Sequence, residues 1–458
     1  MGHARARKVP ARLVEDEEYQ LRHERVAGID IAKAKADVCT RLPPARDGGR
    51  RASRVEEVPA LAGAILGLAG RLLADGVELV VMESTSDYWR PWYYLLESAG
   101  LQVRLVNSRH ARQLAGRPKT DRLDAQWIAR LAEMGLLRPS FVPPPEIRAL
   151  RDLTRTRSQL VRDRSREWQR LEKLLEGALV KLSSVLHSLA RTKTARDILD
   201  AIAGGQDDPW ALAALAAPNA GGGPAAIVQS LQGMQVRGHH RRLIRVHLDH
   251  VTFLDRAISA IEDEARAALD AIPAAWGTDA SGETGPAAGR EQDAAVLPAA
   301  DRLAQVPGIS KELAIAIIAE TGLDMSVFPT PAHLASWAGL APVAASSGTR
   351  TAARKGHGNA TLKGHCTQAA MGASRTQTFL GERYRRLARR AGGNRACCAV
   401  ARSILVIIWH LLATPEARYT DLGPDWHQRK NDRDRQITAH IRKLQALGLS
   451  VHITEATP

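Results

Sequence analysis

The stretch KTDRLDAQWIARL, residues 119–131, contains Asp121 and Asp124 three residues apart at the start of a predicted helix. Their carboxylates project from one helical face, where two anions repel each other unless a cation lies nearby. Neighbouring lysine and arginine side chains can supply that positive charge as ion pairs. A divalent metal ion that takes oxygen ligands, such as Mg²⁺, can also supply it. The structural alternative is an acidic first turn that favours the helix dipole.

The composition of the 458-residue chain indicates a soluble globular protein with a polyanionic partner. Hydrophobic residues make up 45% of the chain and charged residues 25%, as in ordinary globular proteins. Lysine and arginine outnumber aspartate and glutamate by 64 to 49, which gives a formal net charge of +15. Nucleic acid is the simplest partner, because basic side chains gain affinity by displacing condensed counterions; an anionic membrane surface is the other candidate.

We expect a cytoplasmic protein with no membrane partner. The basic N-terminus lacks the apolar segment of a signal peptide. The most apolar run, residues 403–409, is far shorter than a bilayer span and predicts a buried helix. The four cysteines (Cys39, Cys366, Cys397 and Cys398) form no CxxC pair and no zinc-ligand spacing, so we expect free thiols in a reducing compartment.

After a flexible basic N-terminus at residues 1–24, residues 25–142 predict an α/β domain, because strand-like apolar runs alternate with helical patterns. Strands are expected at residues 26–32, 36–40, 77–83 and 101–106, and helices at 58–75, at 88–98 and from Asp121 onward.

The rest of the chain is predicted to be mostly helical. Residues 146–275 carry the apolar stripes of two long helices, at 146–189 and 225–271, which we expect to pair antiparallel in a coiled-coil arrangement. Composition then predicts two Gly/Ala-rich linkers at 204–224 and 277–296, a mostly α C-terminal domain at 300–414 with a loop at 341–360, and a basic tail at 415–458.

Two more carboxylates occupy strands of the α/β domain. Asp30 lies inside an apolar strand, where a carboxylate is costly unless it is paired or bound to a cation, and Glu83 ends another apolar strand. With Asp121 and Asp124 they form a set in the order Asp, Glu, Asp, Asp, which an RNase H-like fold would gather around two divalent ions. The alternatives are a hydrogen-bonded core aspartate and a helix-capping glutamate. Asp37 is the first substitute for Asp30, although it lies across a turn.

Two C-terminal motifs suggest contacts with phosphate. The turn at residues 305–310 between short helices resembles a helix-hairpin-helix, in which Gly308 and Lys311 would face a nucleic-acid backbone; a packed Pro-Gly turn is the alternative. Ser347 follows in a Ser-Ser-Gly loop, and no His/Asp relay is evident around it. Metal or arginine activation of its hydroxyl is therefore more plausible than a hydrolase-type triad. The basic residues expected to bind nucleic acid here are Arg350, Arg354, Lys355 and Lys363.

The order of these motifs resembles that of the IS110-family transposases, which are bridge-RNA-guided serine recombinases. Asp30, Glu83 and Asp121-x-x-Asp124 are similar to the RuvC-like acidic tetrad of that family. Its C-terminal transposase domain is similar in three motifs: the 305–309 turn, Gly339-Leu340-Ala341-Pro342 followed by Ser347-Gly348, and Gly358-Asn359 with Leu362-Lys363. The resemblance extends from residue 25 to about residue 375.

The resemblance implies a mechanism. Ser347 would attack a DNA phosphate and form a covalent phosphoserine, while Asp30, Glu83, Asp121 and Asp124 would hold Mg²⁺ or Mn²⁺. A bridge RNA encoded by the element would select donor and target DNA by base pairing. The family also implies a tetramer built from dimers, in which the serine of one subunit completes the acidic site of another. Such a protein would act at the nucleoid.

The residues alone leave two other functions open. A metal-dependent, structure-specific endonuclease related to RuvC would use the four carboxylates, and Ser347 would then be structural. A non-catalytic nucleic-acid-binding protein would use the 305–310 turn and the basic helices. Ser346 is the neighbour that competes with Ser347 for the role of nucleophile, and Ser347 is favoured because it directly precedes Gly348.

Overall fold

The apolar strand that carries Asp30, β1 (Val26–Ile31), lies at the centre of a five-stranded mixed sheet. The sheet also contains β2 (Lys35–Leu42), β3 (Ala52–Pro59), β4 (Leu79–Glu83) and β5 (Val103–Val106). The strand order is β3-β2-β1-β4-β5. Strands β1, β2 and β3 pair antiparallel, whereas β4 pairs parallel to both β1 and β5.

A computed structural model describes residues 21–44, 46, 51–83, 86–107, 121–217, 220–288, 294–347, 350–355 and 358–452, with the backbone alone at 121, 343–347, 350–355, 428 and 430–434. It divides the chain into two units, residues 1–142 and 143–458. Most of the predicted flexible N-terminus lies outside the described residues.

Helices cover both faces of the sheet. On one face Ala27, Ile29 and Ile31 pack against α1 (Ala62–Ala74) and α2 (Trp89–Ser98). The other face belongs to α3 (Asp121–Glu133), the helix of the opening motif, whose Ala125, Ile128, Ala129 and Ala132 pack against the sheet. This mixed sheet with helices confirms the RNase H-like, RuvC-like arrangement predicted for the first unit.

Helix α3 runs antiparallel to β1. At its C-terminal end, the carbonyl oxygen of Glu133 accepts hydrogen bonds from the backbone amides of Arg22 and His23, just before β1 begins. Farther along, Gly28 lies directly under the helix backbone between Ala125 and Ala129. The N-terminal end of α3 therefore lies toward the carboxyl end of β1.

Two 33-residue helices dominate the second unit. Helix α4 (Pro145–Gly177) pairs with a later helix at Gly238–Asp270, and ion pairs join Arg157 to Glu262 at 2.6 Å and Arg164 to Asp255 at 2.7 Å. The numbering of these pairs rises on one helix and falls on the other, so the helices are antiparallel, as predicted. The predicted ends differ: the first helix stops at Gly177 instead of 189, and the second starts at Gly238 instead of 225.

A small helical cluster separates the two long helices. It contains α5 (Lys193–Ala203), α6 (Pro209–Ala213) and α7 (Pro224–Leu231), and the helix at Gly238–Asp270 is α8. Helix α6 lies inside the stretch 204–224 that its Gly/Ala content predicts to be a linker. Its Leu212 and Ala213 are buried in the apolar core of the cluster, so small residues serve here for close packing. The second predicted linker, 277–296, contains the short strands β6 (Gly277–Thr278) and β7 (Thr284–Gly285).

The C-terminal part is mostly helical, as predicted. It contains α9 (Ala299–Ala304), α10 (Lys311–Thr321), α11 (Pro331–Trp337), α12 (Ala360–Ala373), α13 (Phe379–Ala391), α14 (Gly393–Ala413) and α15 (Trp426–Ala446). The prediction of a loop at 341–360 was wrong, because residues 342–347 and 350–355 pair as the hairpin strands β8 (Pro342–Ser347) and β9 (Arg350–Lys355). These strands are rich in alanine, serine and arginine and lack the apolar alternation that signals a strand.

Helix α14 is long and apolar enough to cross a membrane by length and composition alone. Half of its most apolar window is buried inside the protein, and residues such as Val400, Ile404 and Ile408 form a buried face. These are the properties of a core helix, which is what the sequence predicts. The four cysteines are free thiols, as predicted, and three of them are buried.

A first prediction tests the contact under α3. A Cβ atom on Gly28 would lie 2.4 Å from the backbone nitrogen of Ala129 and 2.5 Å from the carbonyl oxygen of Ala125. Gly28→Ala should therefore lower the free energy of unfolding by about 1–3 kcal/mol, measured by urea denaturation. Gly70→Ala is the control, because this exposed helical glycine has open space around it and its replacement should be neutral or stabilising. Equal stabilities for the two variants would contradict the close contact.

A second prediction concerns Glu167 on α4, which is 3% exposed. Burial raises the pKa of this carboxyl group, but bonds from His247 at 2.7 Å, Arg170 at 2.8 Å and His250 at 3.2 Å outweigh burial and lower the pKa from 4.5 to about 2. A pKa lowered by folding adds stability above the unfolded value, and that stability is lost as the pH falls toward the folded value.

We expect Glu167→Gln to lose roughly 3 kcal/mol of unfolding free energy at neutral pH. The difference from the wild type should shrink as the pH falls below about 4.5, where the unfolded carboxyl group becomes protonated. Urea denaturation of both proteins at a series of pH values measures this. A constant difference down to about pH 3 would contradict it.

Candidate active site

Asp30 and Glu83 are direct neighbours on adjacent parallel strands. Both lie on the sheet face covered by α3, two residues beyond Gly28 and Val81 respectively. Glu83 is 7% exposed, so this carboxylate is held in a largely buried position. Since α3 runs antiparallel to β1, its first turn, with Asp121 and Asp124, lies toward the same end of the sheet. The fold thus brings the four predicted carboxylate residues to one end of one sheet face.

Asp37 belongs to the same row of residues. It is the antiparallel cross-strand partner of Asp30 and is 6% exposed. The sequence predicts only that it lies across a turn, but the hairpin closes at Ala32 and Lys35, and its register returns Asp37 to the side of Asp30. Residues 30 and 37 are equally far from the centre of this tight turn, and this spacing in the sequence could have predicted that they pair. Asp37, Asp30 and Glu83 therefore occupy adjacent positions on three neighbouring strands.

The chemistry of this set suits a hard divalent cation, because all of its members offer carboxylate oxygens. Within the described side chains, no three His, Cys, Asp or Glu groups lie close enough together to hold a metal ion. The side chain of Asp121 is outside the described part of the chain. The residues therefore fit Mg²⁺ or Mn²⁺ in their kind, and all four carboxylates stay predicted ligands.

The register of the β8–β9 hairpin separates the two candidate nucleophiles. Ser347 pairs with Arg350, and Val343 pairs with Arg354. Because residues two apart on a strand share a face, Ser347, Arg350 and Arg354 occupy positions on one face. Ser346 pairs with Thr351 and shares the opposite face with Lys355. Arg350 and Arg354 thus share a face with Ser347, whereas Lys355 shares a face with Ser346.

A buried carboxylate on α10 anchors the base of this hairpin. Glu320 is 0% exposed and accepts two hydrogen bonds from Arg155 of α4, at 2.8 and 3.0 Å, and one from the side chain of Asn359, at 2.6 Å. Arg151 adds an ion-pair contact at 3.6 Å and donates to the carbonyl oxygens of Ala319 and Glu320. Burial raises the pKa of Glu320, but these donors outweigh it and hold the pKa below its usual value.

The motif Gly358-Asn359 after β9 contacts the segment that precedes β8, at Trp337 and Gly339. A Cβ atom on Gly358 would lie 2.3 Å from the backbone nitrogen of Gly339, so these two segments touch backbone to backbone. The amide of Asn359 donates to the carbonyl oxygen of Trp337 at 3.0 Å, and its side chain caps α12. Lys363 donates to the carbonyl oxygen of Gly339 at 3.0 Å. Lys363, which is predicted to bind nucleic acid, therefore uses one N–H donor of its ammonium group to hold the base of the hairpin.

The 305–310 turn joins two helices, as the helix-hairpin-helix resemblance predicts. Gly308 has φ +90°, and a Cβ atom there would lie 2.1 Å from the carbonyl oxygen of Ala369 in α12. This packing accounts for the glycine without any phosphate, which favours the packed-turn alternative. Lys311 forms an ion pair with Asp301 at 2.7 Å and is itself largely exposed. Its contact with nucleic acid stays a prediction.

Comparison with protein families identifies two matching regions. Residues 27–180 match the model DEDD_Tnp_IS110, described as a transposase, and residues 300–385 match that of the transposase IS116/IS110/IS902 family. The first region contains the carboxylates and the second contains the hairpin. Both models describe transposases, which are enzymes that cut and rejoin DNA, and together they span more than half of the chain. The chain belongs to the IS110 family of transposases.

Comparison with solved structures gives a match to a Thermus thermophilus RuvC structure, with 17% sequence identity and a TM-score of 0.20. The match covers 25% of this chain and 99% of that chain. Comparison with curated proteins gives no match.

A third prediction tests the anchor at Glu320. Glu320→Gln removes the charge of a fully buried carboxylate from Arg155, which is 38% exposed, and from Arg151, which is 15% exposed, so unfolding free energy should fall by about 1–3 kcal/mol in urea denaturation. Glu262→Gln is the control, because the carboxylate of Glu262 is 26% exposed whereas that of Glu320 is 0% exposed, and loss of its pair with Arg157 should cost at most about 1 kcal/mol. Similar losses in the two variants would contradict a special role for the buried carboxylate.

Proposed function

We propose that this transposase exchanges DNA strands through a covalent phosphoserine at Ser347. The serine oxygen forms a bond to the phosphorus of a DNA phosphodiester and gives up its proton. The bond from that phosphorus to one deoxyribose oxygen breaks, and this oxygen leaves with a proton. One phosphoester replaces another, so the reverse reaction with a new strand end rejoins DNA without a high-energy cofactor.

The observation that carries this proposal is the register of the β8–β9 hairpin, in which Ser347 lies opposite Arg350 and on the same face as Arg354. Guanidinium groups bind phosphate oxygens in a bidentate manner and stabilise the charge that builds up during phosphoryl transfer. They would also favour loss of the serine proton. The anchored hairpin base supports the same conclusion, because a nucleophile must be held at a defined position.

We assign the metal site to Asp30, Glu83, Asp121 and Asp124, with Mg²⁺ or Mn²⁺ as the ion. Bound there, the ion would supply charge stabilisation to the phosphate that is transferred. Asp30 on β1 and Glu83 on β4 would supply two ligands, and Asp121 and Asp124 in the first turn of α3 would supply the other two. Asp37 would support the site through its position beside Asp30.

The partners belong to the proposal as well. Donor and target DNA are the substrates, and the net charge of +15 suits an element-encoded bridge RNA that selects them by base pairing. We propose a tetramer built from dimers, with the paired helices α4 and α8 as coiled-coil elements that hold subunits together. The protein would act in the cytoplasm at the nucleoid.

A metal-dependent, structure-specific endonuclease is the second candidate. It is favoured by the position of Asp30, Asp37 and Glu83, which are adjacent within the first unit. Such an enzyme would cleave with water as the nucleophile and would leave no protein on the DNA.

A fourth prediction separates these functions. Purified protein is incubated with supercoiled donor and target plasmids, the guide RNA and Mg²⁺, and protein–DNA adducts are trapped with denaturant. Ser347→Ala should abolish both the adduct and joined products, whereas Ser346→Ala should keep joining within about threefold of the wild type because it lies on the other hairpin face. Glu83→Gln should reduce joining by about 10²-fold or more.

Cleavage by Ser347→Ala without an adduct would reject the phosphoserine and support the endonuclease. Full activity of both Ser347→Ala and Glu83→Gln would reject both enzymatic functions. An adduct formed by Ser347→Ala but lost in Ser346→Ala would move the nucleophile to the neighbouring residue.

A further inference from the structure

A cleft of about 610 Å³ opens between α4, α10 and α12, next to the base of the β8–β9 hairpin. Its walls include Arg157, Arg162 and Arg164 of α4, Glu312 of α10, and Gly364 and His365 of α12. Residues Ala360 and Thr361, which also line it, directly follow Asn359 of the hairpin anchor. None of these cleft residues belongs to the predicted serine or carboxylate sites.

His365 is an unsatisfied polar group in the wall of this cleft. It is 9% exposed, and its Nδ1 atom has no hydrogen-bond partner in the described part of the chain. Burial lowers the pKa of its imidazole, and the nearby charges of Arg157, Arg155 and Arg162 act in the same direction, against the opposing effect of Glu320. A neutral histidine can donate one hydrogen bond and accept another, so a ligand in the cleft would relieve the unpaired state.

The three arginines of the cleft differ in their partners. Arg157 is paired with Glu262 and Arg164 with Asp255, both on α8. Arg162 donates to the backbone carbonyl oxygen of Ser158 at 3.0 Å and has no acidic partner within the described residues. Because a guanidinium has five N–H donors, the paired arginines also retain donors for a ligand. Arg162 is therefore the arginine of this cleft whose positive charge is most available to an anion, because the charges of Arg157 and Arg164 are shared with carboxylates.

The acidic residue of the cleft is already engaged. The carboxylate of Glu312 accepts from its own backbone amide, which with a bond to Ser310 and the charges of Arg157 and Arg266 outweighs burial and lowers its pKa. It thus occupies the N-terminal end of α10, where an external anion would otherwise bind. An anionic ligand would bind on the side of α4 and α12 instead.

The face of α12 in the cleft allows a ligand to approach the helix closely. Gly364 is exposed, and a Cβ atom there would find no other atom within 4 Å. Packing therefore does not explain this glycine, in contrast to Gly308 and Gly358, whose Cβ atoms would collide with backbone. The open side of Gly364 therefore leaves space for a ligand within the cleft.

We propose that the cleft between α4, α10 and α12 binds the phosphodiester backbone of a nucleic acid. Arg162 contacts the phosphate, His365 donates a hydrogen bond to the ligand, and Gly364 leaves room for the strand against α12. The cleft lies beside the hairpin base, so the strand it holds is close to the element that carries Ser347. This site depends on the handling of DNA that the family implies and not on the serine chemistry.

A fifth prediction tests the cleft with the full chain and two fluorescent probes, a DNA duplex and an RNA hairpin, by anisotropy. Gly364→Gln places a side chain in the open cleft and should weaken binding of at least one probe about tenfold. Gly70→Gln is the matched control, because it puts the same side chain on an exposed, open helical glycine of the first unit. It should bind both probes as the wild type does. The probe affected tells whether the strand is DNA or RNA.

Three further variants test the chemistry of the site. Arg162→Gln should reduce the slope of log affinity against log salt by about 0.7–0.9 for the probe that Gly364→Gln weakens, as expected for one lost phosphate contact. His365→Leu should weaken binding while the melting temperature stays equal or rises, because it removes an unsatisfied nitrogen. Glu312→Gln should tighten binding, because it removes the only acid among the residues that line the described cleft.

Wild-type binding of both probes by Gly364→Gln, with an unchanged melting temperature, would overturn the proposal. An unchanged salt slope in Arg162→Gln would overturn the phosphate contact. These outcomes are independent of the proposed function. If the wild-type protein formed no phosphoserine adduct, the proposed function would fail, but the binding measurements would still test the cleft. Conversely, a cleft variant that still forms the adduct but binds weakly supports a separate binding site.

Discussion

The contact between Gly28 and the backbone of α3 is the constraint on which the acidic site depends. A helix over a sheet normally stands off by the length of the side chains between them. Here Gly28 has none, and the alanines at 125 and 129 let the helix backbone meet the strand. The carboxylate positions on β1 and β4 and those in the first turn of α3 then lie at the same end of one sheet face. A side chain at residue 28 would collide with the backbone of α3 and push the helix away from β1.

The second unit uses the same means for its hairpin. Gly308 meets α12, and Gly358 meets Gly339, so that backbone segments touch at both places. Glu320 then adds a buried charge whose donors come from α4 and from Asn359. Leaving the buried carboxylate of Glu320 unpaired would be costly, so its donors favour one geometry at the base of the hairpin. The hairpin is therefore fixed at its base, and Ser347 lies at the far end of β8.

The sequence predicts those features that depend on local pattern. Apolar runs interrupted by Asp30 and ended by Glu83 indicate strands with functional carboxylates, because charge in such a run requires a reason. The hairpin at 342–355 was missed because alanine and serine give no apolar alternation. Asp37 was discounted because its place depends on cross-strand register. Glu320 reads as one acid in an apolar helix, and its partner Arg155 lies 165 residues earlier. Pairings at that distance leave no local pattern.

On the proposed function, the two candidate sites are chemically complementary, and each is incomplete alone. The hairpin offers a nucleophile with Arg350 and Arg354 on its face, but the acids that would hold a metal ion are on β1, β4 and α3. On this proposal the acidic site would supply the metal ligands and the hairpin would supply the hydroxyl nucleophile. A serine hydroxyl is a weak nucleophile at neutral pH until charge stabilisation is provided. If the proposed function holds, an enzyme with these parts in separate units would cleave DNA only when the two parts are brought together.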